Sequence, residues 1–102
     1  LERCLNSLAQ HPPRVSHETI VVDNASTDGS ADAAGRFPDV HVIRSARNGG
    51  FSAGNNLGIR ASRGELILLL NSDTIVPEGA LDALVARLRA EPDVAVAGPR
   101  LV

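Results

Sequence analysis

Polar side chains that could bind a metal ion or a phosphate follow the two most apolar runs of the chain. Asp23 comes directly after Thr19–Val22, and Asn71-Ser72-Asp73 comes directly after Leu66–Leu70. If both runs are strands of one parallel sheet, they end at the edge where open α/β sheets bind ligands, which brings Asp23 and Asp73 to the same rim. A site with so few oxygen ligands suits Mg²⁺ or Mn²⁺, because substrate phosphates can supply further ligands. The pattern therefore predicts a site for a nucleoside diphosphate and a divalent cation.

Each polar motif also has an ordinary structural interpretation. Asp23-Asn24 is typical of a turn at a strand end, Asn48-Gly49-Gly50 of a turn that needs positive φ, and Asn71-Ser72-Asp73-Thr74 of a loop that caps the next helix. Taken singly, the first two motifs favour the structural interpretation, and the third is evenly balanced. Their joint order along the chain favours a ligand site.

Residue patterns place these motifs between alternating helices and strands. They predict helices over 1–8, 31–36, 51–62 and from 77 onward, and strands over 19–22, 40–43, 65–70 and 94–97. Strands that alternate with helices predict an α/β fold, with a mostly parallel sheet, flanking helices and right-handed crossovers. The 102 residues fit one small domain.

The third predicted helix carries two glycines in its interior. Its apolar stripe is Ala53, Leu57 and Ala61, and Gly54 and Gly58 stand beside that stripe. Each glycine costs roughly 1 kcal/mol relative to alanine in a helix. We therefore expect a close approach of this helix to a sheet or to a ligand.

Composition and charge exclude several classes of function. The formal net charge of −2 lacks the basic surface of a nucleic-acid-binding protein. All ten basic residues are Arg, so a Walker A loop and Schiff-base chemistry are excluded. The single Cys4 excludes an internal disulfide and suggests a reducing compartment. No apolar run reaches the roughly 18 residues of a membrane span, so a soluble piece is expected.

Three ordered motifs resemble those of a known family. Residues 21–30, 48–58 and 69–74 look like the nucleotide-binding half of family 2 glycosyltransferases, which have the Rossmann-like GT-A fold. Asn71 stands where most members carry the first acid of an Asp-X-Asp motif. In this respect the chain resembles the rhamnosyltransferase and galactofuranosyltransferase branch.

The resemblance implies a role for each matching residue. Asp23 matches the acid that contacts the nucleoside, and Asp73 matches the acid that coordinates Mg²⁺ or Mn²⁺. Asn71 matches the position nearer the ribose and phosphate, and Asp28 is expected to be mainly a structural cap. The expected wall beside the nucleotide comprises Asn48, Gly50, Asn55 and Asn56, with helix packing as the alternative for the last two.

The resemblance also implies an activity for a longer parent protein. The expected reaction is inverting, metal-dependent transfer of a sugar from a UDP- or dTDP-sugar to an acceptor glycan or lipid-linked glycan, in the cytoplasm or at the inner face of the membrane. Residues 1–102 would be a partial GT-A domain that lacks the first strand and the acceptor half. The catalytic base would lie beyond Val102, so we expect the piece alone to be inactive.

Three other classes of α/β protein need a residue or motif that this sequence lacks. A receiver domain needs a Lys, a phosphatase of the Asp-X-Asp type needs a nucleophile where Asn71 stands, and a dinucleotide-binding domain needs Gly-X-Gly-X-X-Gly after its first strand. The remaining alternative is a non-catalytic nucleotide-binding or structural α/β fragment.

A missing first strand has a structural consequence. In the order 3-2-1-4, that strand separates the predicted strands 19–22 and 66–70, and its loss exposes the backbone of both. We expect the gap to be closed by direct pairing of the two strands or by self-association with another copy.

Overall fold

A computed structural model of the chain describes residues 1–45, 49–93 and 98. Within these residues the order of elements is α1 (Glu2–Gln10), β1 (Thr19–Asn24), α2 (Ser30–Gly35), β2 (Val40–Ser45), α3 (Phe51–Ala61) and α4 (Ala80–Ala90). The strands form a parallel pair flanked by helices, which confirms the predicted α/β class. The predicted strand 94–97 lies outside the described residues.

Both strands run two residues further than predicted. They pair in parallel from Thr19 with Val40 to Asn24 with Ser45, and α2 forms the crossover between them. The β-branched run favours the extended backbone, and pairing with β2 keeps the backbone extended through Asp23. Asp23 is therefore a residue of the sheet rather than of the turn that follows it.

Small residues let the helices pack closely on this sheet. Ala31 and Ala34 of α2 are buried, and α3 lies against β1. A Cβ added at Gly54 would stand 2.9 Å from Asn24 Nδ2, and one added at Gly58 would stand 3.4 Å from Val22 Cγ2. The expected close approach of α3 to a sheet is confirmed.

The predicted stripe on α3 is not its buried face. Gly54 is buried, whereas Leu57 is 36% exposed and Ala61 is exposed. The helix approaches β1 along the side without side chains, because that side allows the backbones to come closest. The apolar stripe lies beside that contact.

The predicted central strand at residues 65–70 is wrong. In the described part of the chain this segment forms no strand, and the side chains from Leu66 to Leu70 are between 38% and 57% exposed. Apolar side chains favour burial, but a strand also needs a neighbour for its backbone. Among the described residues β1 pairs with β2 alone, so direct pairing of 66–70 with β1 does not occur. Self-association stays a prediction, which light scattering on the 102-residue chain tests.

The last described helix lies at the edge of the fold. α4 begins at Ala80, after Gly79 with φ 78°, rather than at the predicted Pro77. Its stripe of Leu81, Leu84, Val85 and Leu88 is only half-buried. The Arg14 N–H donates to Asp82 Oδ1 at 2.8 Å, which ties α4 to the segment before β1. No helix in the described ranges is long and apolar enough to cross a membrane.

Candidate functional site

The first predicted site residue, Asp23, lies near the carboxyl end of β1 and is buried. Only 8% of its surface is exposed, and its Oδ1 accepts hydrogen bonds from the Ser26 N–H, at 3.4 Å, and from the Ser26 hydroxyl. Ala25 between them has φ 58°, a left-handed conformation that costs a residue with a Cβ about 1–2 kcal/mol. The strained turn therefore folds Ser26 back onto the carboxylate. The carboxylate that the sequence predicted at the ligand-binding rim is therefore largely covered by this turn.

Charged groups surround this turn on the side of α2 and β2. Arg44, the sheet partner of Asp23, donates to Asp32 Oδ1 at 2.6 Å. The hydrogen bond from Arg44 lowers the pKa of Asp32, and the same bond raises the pKa of Arg44, with a smaller contribution from the charge of Asp23. The Arg44 guanidinium therefore lies beside the end of β1 and is already paired with the Asp32 carboxylate.

Asp28 has the structural role that the sequence predicted for it. Its Oδ1 accepts the Ser30 N–H at 3.0 Å and the Ser30 hydroxyl at 2.6 Å, at the first residue of α2. These bonds, the hydroxyl first, lower the pKa of Asp28. Gly29 between them has φ 81°. Asp28 therefore satisfies a free amide at the start of the helix.

The expected wall beside the nucleotide lies at the start of α3. Gly50 precedes the helix with φ 90°, which explains the glycine, and its carbonyl accepts the Gly54 N–H at 3.1 Å. Asn55 is half-buried and Asn56 is exposed. Asn48 lies outside the described residues. Because α3 packs on β1 through Gly54, its first turns lie beside the end of β1 that carries Asp23 and Asn24.

The remaining two predicted site residues lie on the turn formed by residues 71–76, here called the Asn71–Val76 turn. The Thr74 N–H and hydroxyl both donate to the Asn71 carbonyl, at 3.2 and 2.7 Å. The side chains of Asn71 and Asp73 are exposed, and no hydrogen bond or ion pair among the described residues involves either of them. This turn therefore leaves one amide and one carboxylate for a ligand.

Direct contacts link only part of the predicted site. Asp23 and the start of α3 are neighbours, but no hydrogen bond or ion pair in the described ranges joins Asp23 to the Asn71–Val76 turn. A cavity of about 530 Å³ lies between the starts of α1 and α2, and one of about 250 Å³ lies beside Arg44. Neither cavity is lined by a residue predicted for substrate or metal. The predicted shared rim depends on a strand at 65–70, and the described chain forms no strand there.

The oxygen donors of the Asn71–Val76 turn fit a divalent cation that the substrate also holds. Among the described residues no cluster of three or more His, Cys, Asp or Glu side chains could hold a metal alone. Mg²⁺ usually takes one or two protein carboxylates and completes its shell with waters and substrate phosphates. Asp73, exposed and without a protein partner in the described chain, meets that requirement together with the Asn71 amide oxygen.

Comparison with known proteins assigns the chain to a family. A sequence profile described as glycosyl transferase family 2 matches residues 1–102, the whole chain. The chain belongs to glycosyl transferase family 2. The assignment agrees with the three ordered motifs. It does not test the rhamnosyltransferase branch that Asn71 suggests.

Relatives of this family 2 chain come from several bacteria and from an archaeon. It is 32% identical over 79% of its length to glycosyltransferase GlyG of Streptococcus pneumoniae and 37% identical over 79% to the poly(ribitol-phosphate) beta-glucosyltransferase of Bacillus spizizenii. It is 34% identical over its whole length to an N-acetylglucosaminyltransferase of Bradyrhizobium elkanii. The matched regions span 28%, 14% and 58% of those three proteins. The chain thus corresponds to a part of each relative.

Sequence reasoning missed three polar residues that lie beside the candidate site residues. Ser26 binds Asp23, Arg44 borders it, and Ser7 of α1 binds the Asn71–Val76 turn through the Val76 N–H. Spacing could have pointed to Ser7, because it lies three residues after Cys4 on one helical face. A local signal also exists for Ser26, because an Asp at a strand end commonly accepts hydrogen bonds from the turn that follows it. Nothing local to Arg44 indicates its place beside Asp23, since that depends on the sheet register.

Proposed function

We propose that the protein containing this chain transfers a sugar from a nucleoside diphosphate sugar to an acceptor hydroxyl with inversion, and that this chain binds the donor. The observation that carries the proposal is membership of glycosyl transferase family 2 over all of residues 1–102. The acid that accepts the proton of the acceptor hydroxyl is expected outside this chain. Residues 1–102 alone are expected to bind nucleotide without turnover.

Each proposed site residue has a task that suits its surroundings. Ser26 binds Asp23 through Oδ1, so Oδ2 is the oxygen proposed to accept an N–H of the base, and Gly50, Asn55 and Asn56 are proposed to lie beside the nucleotide. Asn71 binds ribose or phosphate, and Asp73 binds Mg²⁺ or Mn²⁺. The bound cation would stabilise negative charge on the departing nucleoside diphosphate. Asn48 is proposed for the same wall on the resemblance alone.

The proposed choice of donor sugar rests on Asn71. An amide instead of a first acid suggests a donor of the rhamnosyltransferase or galactofuranosyltransferase branch, a dTDP- or UDP-sugar. The proposed acceptor is a glycan or a lipid-linked glycan, met in the cytoplasm or at the inner face of the membrane. A panel of dTDP-rhamnose, UDP-galactofuranose and UDP-glucose with the full-length protein tests this choice. Turnover of UDP-glucose alone would contradict the proposed branch.

The metal role is tested by removing the cation and its proposed ligand. In the full-length protein we expect EDTA to abolish release of nucleoside diphosphate, and Mg²⁺ or Mn²⁺ to restore it. Asp73→Ala should lower turnover by about a hundredfold or more, since one electrostatic contact to the leaving group is commonly worth that much. Asp39→Ala, an exposed acid in the turn before β2, is the matched control and should leave turnover unchanged. Activity that survives both EDTA and Asp73→Ala would exclude the metal role.

The nucleoside contact is tested with Asp23→Asn, measured by titration calorimetry with UDP and dTDP. Asparagine keeps an oxygen that can accept the Ser26 bonds but loses the charge. A hydrogen bond to a charged group contributes about 1.5–3 kcal/mol, so affinity should fall by about ten- to a hundredfold. Unchanged affinity with an unchanged circular dichroism spectrum would remove Asp23 from the site.

A further inference from the structure

Ser7 is a buried polar residue in the middle of a helix. It is 5% exposed and lies on α1 beside Cys4 and Leu5, which are 3% and 4% exposed. A serine hydroxyl buried among apolar neighbours destabilises the fold unless it has hydrogen-bond partners. The partners of Ser7 therefore indicate why a serine stands there.

The Ser7 hydroxyl connects α1 to the end of the Asn71–Val76 turn. It donates to the Cys4 carbonyl at 2.7 Å and accepts the Val76 N–H at 2.9 Å. Val76 is itself 5% exposed, so its amide could bind water instead of Ser7 only if the contact between the turn and α1 opened. This hydrogen bond and the packed Val76 side chain fix one end of the turn.

Cys4 holds the other end of the turn from the same helical face. Its Sγ lies 3.8 Å from the Asn71 carbonyl oxygen, to which it donates, and 3.8 Å from Thr74 Oγ1. Thr74 in turn donates to the Asn71 carbonyl. These contacts use the backbone and inner side chains of the turn, so the side chain of Asp73 stays exposed.

The segment before the turn provides no comparable support. Residues 66–70 form no strand in the described chain, and all five side chains are exposed. The place of Asp73 relative to the rest of the molecule therefore depends on the contacts between α1 and the Asn71–Val76 turn.

We propose that Ser7 is a positioning residue for the metal ligand Asp73, acting through the Val76 amide; the inference rests on the proposed function. Residues behind a metal ligand commonly change metal affinity by about ten- to a hundredfold when they are removed. Ser7 keeps the turn in one geometry so that its free carboxylate meets a cation held by the substrate diphosphate. Binding of the nucleoside to Asp23 does not depend on Ser7.

The test compares serine variants of the full-length protein below their unfolding temperatures. Mn²⁺ binding in the presence of UDP is followed by loss of the free Mn²⁺ signal in electron paramagnetic resonance, and UDP binding in EDTA by calorimetry. Ser7→Ala should weaken Mn²⁺ binding at least tenfold and leave UDP binding in EDTA unchanged. Ser7→Thr, which keeps the hydroxyl, should restore Mn²⁺ binding. Hydrogen exchange of the Val76 amide should be faster in Ser7→Ala.

A matched control separates positioning from a general loss of stability. The Ser62 hydroxyl also donates to a carbonyl three residues earlier, that of Ile59 at 2.7 Å, but it lies at the end of α3. Ser62→Ala should leave both binding constants unchanged. If Ser7→Ala does not fold, Thr74→Val removes the inner hydroxyl of the turn instead and should weaken Mn²⁺ binding in the same way.

Two different failures are distinguishable. If the wild-type protein binds Mn²⁺ in a manner that depends on Asp73, but Ser7→Ala and Thr74→Val bind it equally well, the positioning role is overturned and the proposed function stands. Failure of Ser7→Thr to restore binding also overturns the role of the hydroxyl. If the wild-type protein and Asp73→Ala bind Mn²⁺ alike, the metal role itself fails and the inference fails with it.

Discussion

Two apolar runs of the chain adopt different structures: one is β-branched and the other is rich in leucine. Thr19–Val22 lies within a strand that pairs with β2 and packs against α3, whereas Leu66–Leu70 is exposed and forms no strand in the described chain. The second run is the more apolar of the two. Hydrophobicity alone therefore does not decide which run becomes a strand; β-branched side chains and an available backbone partner also contribute.

The polar motifs after the two runs are held in correspondingly different ways. Asp23 belongs to the sheet and is fixed by Ser26 across the strained Ala25. The Asn71–Val76 turn is held by side chains of α1 instead of by a strand of its own. A site residue can thus be positioned by the element that carries it or by a neighbouring helix.

The largest expected effect contrasts a packed leucine with an exposed one. Leu5→Ala should lower the free energy of unfolding by about 2–4 kcal/mol, because the side chain is 4% exposed and leaves a cavity. Leu69→Ala should change it by less than about 0.5 kcal/mol, since Leu69 is 57% exposed. Urea denaturation measures both. An equal loss in the two variants would mean that residues 66–70 are covered in solution, as self-association predicts.

A smaller effect is expected where α3 meets β1. Gly54→Ala should lower the free energy of unfolding by up to about 2 kcal/mol, because the new Cβ would stand 2.9 Å from Asn24 Nδ2 and displacing that side chain outweighs the roughly 1 kcal/mol that alanine gains in a helix. Gly35→Ala is the matched control, since nothing lies within 4 Å of its new Cβ. Alanine there should stabilise the helix end slightly. A stabilising Gly54→Ala would show that α3 lies further from the sheet in solution.

The smallest effect is a weakening of the α2 region in acid. Hydrogen bonds from Arg44 and from the Ser30 hydroxyl lower the pKa of Asp32 and Asp28 below the ordinary 3.8. As pH falls through 3.8, the unfolded chain takes up protons before the folded one, so the stabilisation is complete above that pH and disappears below it. Thermal midpoints measured between pH 7 and pH 2.5 should fall at the acid end.

Variants of the exposed Asp32–Arg44 ion pair measure how much that pair contributes to the decline of the thermal midpoint in acid. Asp32→Asn and Arg44→Gln each remove the 2.6 Å contact and should flatten the acid decline of the thermal midpoint to the same degree. Both side chains are largely exposed, so the change should be small and should shrink further in high salt. A decline as steep as that of the wild-type protein in both variants would exclude a contribution from the pair.

Much of the fold was predictable because its signals are local. The β-branched run Thr19–Val22, the proline and glycine boundaries, and the small residues of α2 and α3 predicted two strands and four helices to within a few residues. Of the site, the roles of Asp28 in helix capping and of Gly54 and Gly58 in close packing followed from residue type. The predicted nucleotide and metal contacts remain predictions.

The sequence by itself determined the alternation of elements, the family and the residues available for chemistry, because these depend on periodicity, turn residues and ordered motifs. Only the tertiary structure decided that Asp23 pairs in register with Arg44, that Leu66–Leu70 remains unpaired in the described chain, and that α1 holds the Asn71–Val76 turn. The physical reason is that a strand partner, a buried amide and a bridging hydroxyl are contacts between residues far apart in the chain. The spacing of residues along one segment carries no record of them.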